Sequence, residues 1–183
     1  MKKYAIFGGS FDPPHVCHEK IVELCLRELE VDKVFVVPTF LSPFKSSFAA
    51  SPDIRYAWLS KIFNSFGSKV EVLDIEIIKE RSVYMIETVE EITAKIGKQS
   101  YDKIYLIIGS DNLKDFDKWH RHKELVAIAE PIVVSRGGIL SDKYKTIQMD
   151  CDISSTAFRE KLDETMIPLS IRNEVVKFYK GKF

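Results

Sequence analysis

Six short runs rich in apolar residues punctuate the chain, at 4–7, 34–37, 70–75, 104–108, 132–135 and 146–149. Val34-Phe35-Val36-Val37 and Ile104-Tyr105-Leu106-Ile107-Ile108 are almost continuously apolar, the pattern of strands covered on both faces. Between the runs lie stretches with helical spacing of apolar positions: 19–29, 52–66, 84–96, 113–128, 156–163 and 171–179. In the first of these the repeating positions are Ile21, Val22, Leu24, Cys25, Leu26 and Leu29. Ser51-Pro52 is a sound helix start, with serine as N-cap and proline at the first helical position.

Strands alternating with amphipathic helices predict βαβ units. The expected fold is therefore α/β, a doubly wound Rossmann-like parallel sheet with helices on both faces. Ligands of such sheets bind beyond the carboxyl ends of the strands. Residues 38–50 hold two prolines, four serines or threonines and three phenylalanines, and predict a long loop at that end. Gly137-Gly138 marks a second turn. No repeat, low-complexity tract or linker divides the chain, so one domain over 1–183 is expected.

Composition narrows the function. The 183 residues are 45% hydrophobic and 30% charged, ordinary for a globular enzyme. With 27 basic and 27 acidic residues the net charge is zero, so no bulk field favours nucleic acid or a membrane. Cys17, Cys25 and Cys151 are odd in number and form no C-x-x-C pair, which argues against a disulfide framework and fits a reducing cytoplasm. No apolar stretch approaches a membrane span, and Met1-Lys2-Lys3 leads into a strand rather than a signal peptide. A cytoplasmic enzyme is the expectation; nothing in the sequence indicates its oligomeric state.

The chemistry begins at the first strand's end, in Gly8-Gly9-Ser10-Phe11-Asp12-Pro13-Pro14-His15-Val16-Cys17-His18. A glycine turn between strand and helix lets the backbone approach a phosphate closely, and the helix start supplies free N–H groups. His15 and His18, three apart, share one face of the first helical turn. No G-x-x-x-x-G-K-[ST] and no G-x-G-x-x-G follows that strand, which disfavours P-loop kinases and dinucleotide-dependent dehydrogenases. Two histidines at this spacing lack an obvious third and fourth partner for zinc. Near the C-terminus, Ile153-Ser154-Ser155-Thr156-Ala157-Phe158-Arg159 places hydroxyls at a helix start with an arginine one turn on.

Gly9-Ser10-Phe11-Asp12-Pro13 followed by His15-x-x-His18 resembles the signature of the adenylyltransferases with an H-x-G-H motif. Within that superfamily the chain is similar to the bacterial nicotinate-nucleotide adenylyltransferases, over nearly its whole length. The resemblance implies that ATP and nicotinate mononucleotide give nicotinate adenine dinucleotide and pyrophosphate. Such a transfer needs positioning and charge stabilisation rather than a protein nucleophile. His18 is assigned to the transferring α-phosphate, and His15 to the phosphate chain and transition state. Mg²⁺ is the expected cofactor, held mainly by phosphate oxygens and water rather than by protein ligands.

Further roles follow from the resemblance. Gly8, Gly9, Ser10 and Phe11 line the nucleotide turn, and Ser155, Thr156 and Arg159 match an I-S-S-T-x-x-R motif that binds the ATP phosphates. Lys45 matches a lysine that approaches phosphate from the loop after the second strand. Ile108-Gly109-Ser110-Asp111-Asn112-Leu113 with Trp119-His120 resembles the mononucleotide pocket, Trp119 stacking on the pyridine ring and Asp111 facing a ribose hydroxyl or a cation. The segment 84–88, with Met85 and Thr88, matches one that helps hold the nicotinate carboxylate. Arg55 and Arg136 are weaker phosphate candidates.

Three positions depart from the family pattern. Cys17 replaces the motif glycine and would put a sulfur beside the nucleotide, Phe44 replaces a frequent histidine, and Met85 replaces threonine. These changes leave nicotinamide mononucleotide or phosphopantetheine as alternative acceptors, and a non-catalytic nucleotide-binding regulator as the alternative of another class.

Overall fold

Alternation along the first strand sets up two cores. In β1 (Lys3–Gly9) Ala5 and Phe7 face one side of the sheet, and Tyr4 and Ile6 the other, as the two-residue repeat of a strand requires. The computed structural model describes residues 1–42, 47–135, 138 and 140–182. Lys45, Phe44, Arg136 and Gly137 lie outside these residues.

After β1 come α1 (Val16–Glu28), β2 (Lys33–Pro38), α2 (Pro52–Phe63), β3 (Val70–Val72) and α3 (Met85–Lys95). The second half holds β4 (Lys103–Gly109), α4 (His122–Ile128), β5 (Glu130–Ser135), β6 (Lys145–Gln148), α5 (Ser155–Lys161) and α6 (Arg172–Lys180). The strands form one sheet in the order β3-β2-β1-β4-β5-β6, and every pairing is parallel. The chain runs outward from β1 to β3, then returns to lay β4 against β1. The switch in winding direction therefore falls between β1 and β4, where a crevice opens at their carboxyl ends.

Both faces of the sheet are covered. Val22 of α1, Leu59 of α2, Phe158 of α5 and Val175 of α6 pack with Ala5, Phe7, Val36 and Ile107. On the opposite face Ile86 and Ile92 of α3 and Leu125 of α4 pack with Ile6, Phe35, Leu106 and Ile108. This is the doubly wound Rossmann-like arrangement expected from the hydrophobic pattern.

Four local expectations change. The run 70–75 is a strand only over its first half, with Leu73 still bonding back to Val36 before the chain turns into a short 3₁₀ segment, Ile77–Lys79. The stretch 52–66 leaves α-helix after Phe63 and passes through 3₁₀ turns in which Gly67 takes φ +58°. The stretch 113–128 is two elements: a 3₁₀ segment, Ser110–Lys118, and α4, separated by Trp119 in extended conformation and Arg121 in left-handed conformation at φ +52°. Finally, Cys17 and Cys151, 134 residues apart, are joined as a disulfide with their Cα atoms 5.7 Å apart. Spacing in the sequence argues against such a pairing, but the fold closes β6 and α5 onto the start of α1 and brings the two together.

Candidate active site

The turn after β1 is built from the inside. Phe11 takes a left-handed conformation, φ +51°, and buries its ring edge-on against Phe7 and His18, at centroid distances of 5.3 and 4.8 Å. That ring is why Gly9 has no side chain: a Cβ there would come within 3.0 Å of the Phe11 ring. At Gly8 a Cβ would meet the Met85 methyl at 2.5 Å, so the Met85 side chain already lies across the turn. Asp12 is buried and anchors everything behind it. Its carboxylate accepts the Ala49 and Ala50 backbone N–H groups at 2.8 and 2.9 Å and the Tyr179 hydroxyl at 2.5 Å. Burial, reinforced by the hydrogen bond to Asp12, raises the Tyr179 hydroxyl well above its ordinary range and keeps it a donor.

His15 caps α1, and the two histidines form a reciprocal pair. The His15 backbone N–H donates to His18 Nδ1 at 3.0 Å, and the His18 N–H donates to the His15 carbonyl at 2.9 Å. Their imidazoles stack with centroids 3.7 Å apart and planes 25° from parallel. Because His18 Nδ1 accepts a hydrogen bond, a neutral His18 ring carries its proton on Nε2. His18 is half-buried, with Nε2 as its second ring nitrogen. His15 is buried beneath it.

The C-terminal motif closes onto the same turn. Ser155 Oγ donates to the Pro13 carbonyl at 2.8 Å, and Arg159 Nη1 donates to the Asp12 carbonyl. The second guanidinium nitrogen of Arg159 donates to the Thr156 hydroxyl at 3.1 Å, with Thr156 exposed. Ser154, rather than Ser155, is the N-cap of α5, accepting from the Ala157 N–H at 3.0 Å. The two motifs thus touch in space through pairs 142 and 147 residues apart in sequence. The sulfur of Cys17 is buried and bonded to Cys151, three residues before Ser154.

Beyond Gly8, Gly9 and Ser10 opens a cavity of about 570 Å³, bounded by Thr39 after β2, the start of α3 and the turn before α4. Trp119 and His120 line it with Met85, Tyr84 and Asn112. The Trp119 ring sits edge-on to buried Phe116, centroids 5.0 Å apart, leaving its other side to the cavity. His120 stacks on Tyr84 at 4.3 Å and forms a wall between the α3 start and the α4 turn. Asp111 lies outside the cavity lining, its carboxylate folded 3.6 Å from the Cβ position of Gly109. Thr88 is fully buried and spends its hydroxyl on Glu76 Oε1 at 2.6 Å, so it supports the cavity wall rather than facing a ligand.

Arg55 proves to be structural. It is 0% exposed, and its guanidinium donates to the carbonyls of Ser10, Thr39, Phe40 and Ala50 at 2.7–3.1 Å. Four of its five N–H donors are directed to the base of the loop after β2 and the Gly-Gly-Ser turn. Glu76 was not singled out in the sequence, although it is a lone acid between Ile75 and Ile77. It is buried against the cavity, and burial raises its carboxyl above the usual range, offset in part by the Thr88 and Thr39 hydroxyls. Among the described residues no group of three or more His, Cys, Asp or Glu side chains converges on a metal position.

A cytidylyltransferase-like family model matches residues 6–161, which includes both histidines, the cavity and the Ser155–Arg159 segment. A probable nicotinate-nucleotide adenylyltransferase of Aliarcobacter butzleri is 43% identical over 98% of both chains. One from Nitratiruptor is 45% identical over 98% of this chain and 99% of its own. The chain belongs to the nicotinate-nucleotide adenylyltransferase family. The Plasmodium falciparum nicotinic acid mononucleotide adenylyltransferase, solved in complex with NaAD, shares the fold with a TM-score of 0.76 at 19% identity, covering 100% of this chain and 96% of its own. In the present chain the turn after β1 and the start of α5 are in contact, with the Trp119 cavity next to the turn.

Proposed function

We propose that the chain transfers the adenylyl group of ATP to nicotinate mononucleotide, releasing pyrophosphate and forming nicotinate adenine dinucleotide in NAD biosynthesis. The observation that carries this reading is the stacked His15–His18 pair, tied through Pro13 and Asp12 to Ser155 and Arg159, at the edge of the Trp119 cavity. A phosphate oxygen of the mononucleotide attacks the α-phosphorus in line, and the oxygen bridging to the β-phosphorus leaves with pyrophosphate. His18 Nε2–H donates to the α-phosphate oxygens as charge builds on them. His15 holds His18 in that orientation through its backbone N–H and is assigned to the phosphate chain and the transition state. Gly8 to Phe11 frame the nucleotide turn, and Ser155, Thr156 and Arg159 hold its phosphates. Lys45, outside the described residues, is assigned to the departing phosphates by its match to the family lysine.

Mg²⁺ arrives as part of the MgATP substrate, since its coordination favours phosphate oxygens and water over a protein cage. Trp119 stacks on the pyridine ring, with the His120–Tyr84 wall and Met85 bounding the rest of the mononucleotide. Asp111, outside the cavity lining, is assigned to a ribose hydroxyl or a cation by its match to the family motif. Thr88 acts through Glu76 as a supporting residue. No described helix is long and apolar enough to cross a membrane; the zero net charge and the small, charged substrates fit action in the cytoplasm without a nucleic-acid partner.

The decisive experiment compares pyrophosphate release from MgATP with nicotinate mononucleotide, nicotinamide mononucleotide and phosphopantetheine. The expected result is a kcat/KM at least tenfold higher for the nicotinate form. A preference for either other acceptor would keep the chemistry and reject the substrate; no release with any of them would reject turnover altogether. Replacing Trp119 with alanine is expected to raise the mononucleotide KM about 5- to 100-fold, the cost of one base–aromatic stack, with the ATP KM nearly unchanged. A change confined to the ATP KM would exchange the two pockets.

A further inference from the structure

Cys17 and Cys151 stand at two places that matter to the nucleotide. Cys17 lies in the first turn of α1, between His15 and His18 in sequence. Cys151 lies between β6 and Ser154, the N-cap of α5, so it leads directly into Ser155, Thr156 and Arg159. The fold brings these two segments together with Cα atoms 5.7 Å apart. Side-chain hydrogen bonds from Ser155 to Pro13, from Arg159 to Asp12 and, at 3.5 Å, from Lys20 Nζ to the Asp150 carbonyl tie the same segments without covalent help. A cysteine pair here therefore governs how firmly one half of the phosphate cradle is fixed to the other.

The pair is also chemically set apart. Cys25, on the same helix, is buried with its thiol pushed up to about 12 by burial, which makes it a poor nucleophile. Cys151 is 9% exposed against 1% for Cys17, so Cys151 is the less enclosed of the two residues. Disulfides of cytosolic proteins are usually transient and redox-sensing rather than permanent.

We propose that Cys17 and Cys151 form a reversible thiol–disulfide modification site that couples ATP binding to thiol redox state. The proposal rests on the reading that these two motifs hold ATP. Oxidation is carried by a low-molecular-weight disulfide of the glutathione class. The Cys151 thiolate attacks one of its sulfurs, its S–S bond breaks and one thiol leaves. The Cys17 thiolate then attacks the mixed disulfide, the Cys17–Cys151 bond forms and the second thiol leaves. Two electrons and two protons pass from the protein to the oxidant, and a dithiol reductant reverses the sequence. In the bonded state the cradle is pre-organised; in the dithiol state ATP must order two segments held by hydrogen bonds and side-chain packing without a covalent tie, which weakens its binding.

The test uses the full chain after treatment with oxidised glutathione or with dithiothreitol. Alkylation in denaturant followed by mass measurement counts the free thiols, with one expected in the oxidised chain and three in the reduced chain. Reduction is expected to raise the ATP Kd, measured calorimetrically, and the ATP KM about three- to tenfold, with the mononucleotide KM changed less than twofold. Cys151→Ser and, as a second variant, Cys17→Gly are expected to show one ATP Kd whatever the treatment. Three alkylated thiols after oxidation, equal ATP Kd in the two states, or a variant that still responds would each overturn the proposal. Equal Kd with normal pyrophosphate release rejects only the coupling, whereas no ATP binding in either state rejects the functional reading beneath it as well.

Discussion

Replacing His18 with alanine is expected to lower kcat by about two to four orders of magnitude, the range for losing a hydrogen-bond donor aimed at developing transition-state charge. His18 Nδ1 accepts the His15 N–H at 3.0 Å, which fixes the ring and leaves the proton of a neutral imidazole on Nε2. An alanine removes that donor and also frees one N–H at the start of α1, a cost of about 1 kcal/mol for a lost cap. The variant therefore stays folded with a slightly lower midpoint. Its loss appears in kcat more than in the ATP KM, because Ser155, Thr156 and Arg159 remain to bind the ground state. Steady-state kinetics beside a thermal melt separate the two effects. Turnover within about threefold of the parent chain would remove His18 from the reacting phosphate.

The parts of this molecule that were legible in the sequence are those written in short range. Strand runs such as 34–37 and 104–108 are apolar enough to exclude a solvent face, and the parallel doubly wound sheet follows from their alternation with helices. The glycine turn, the paired histidines and the Ser-Ser-Thr helix start are contiguous, so their chemistry can be read without coordinates. What escaped depends on contacts across the fold. The break at 119–121 has no glycine or proline to announce it, yet extended Trp119 and left-handed Arg121 divide the predicted helical stretch 113–128 and put Trp119 and His120 on the cavity. Arg55 looks like a surface charge until four carbonyls from two loops converge on it. The Cys17–Cys151 pairing spans 134 residues and carries no local spacing signal.

Replacing Asp12 with alanine is expected to cost about 3–5 kcal/mol of folding stability, the range for removing one member of a buried charged network. Asp12 sits within the glycine–histidine segment, but its carboxylate points away from the cavity. It accepts from Ala49, Ala50 and Tyr179, joining the β1 turn to the end of the loop after β2 and to α6. Its removal strands a buried tyrosine hydroxyl and two backbone N–H groups. It also withdraws the charge that offsets burial at Arg55, whose guanidinium is already pushed toward its neutral form by desolvation. Urea unfolding with an unchanged slope would report the loss as a shift in midpoint. A loss below about 1 kcal/mol would mean that water or a neighbouring group takes over the carboxylate's bonds. The expected size sets the role of the motif's aspartate: it holds the frame on which His15 and His18 are presented. Because domain stabilities are only about 5–15 kcal/mol, a cost of this size leaves little margin for holding the phosphate turn in place.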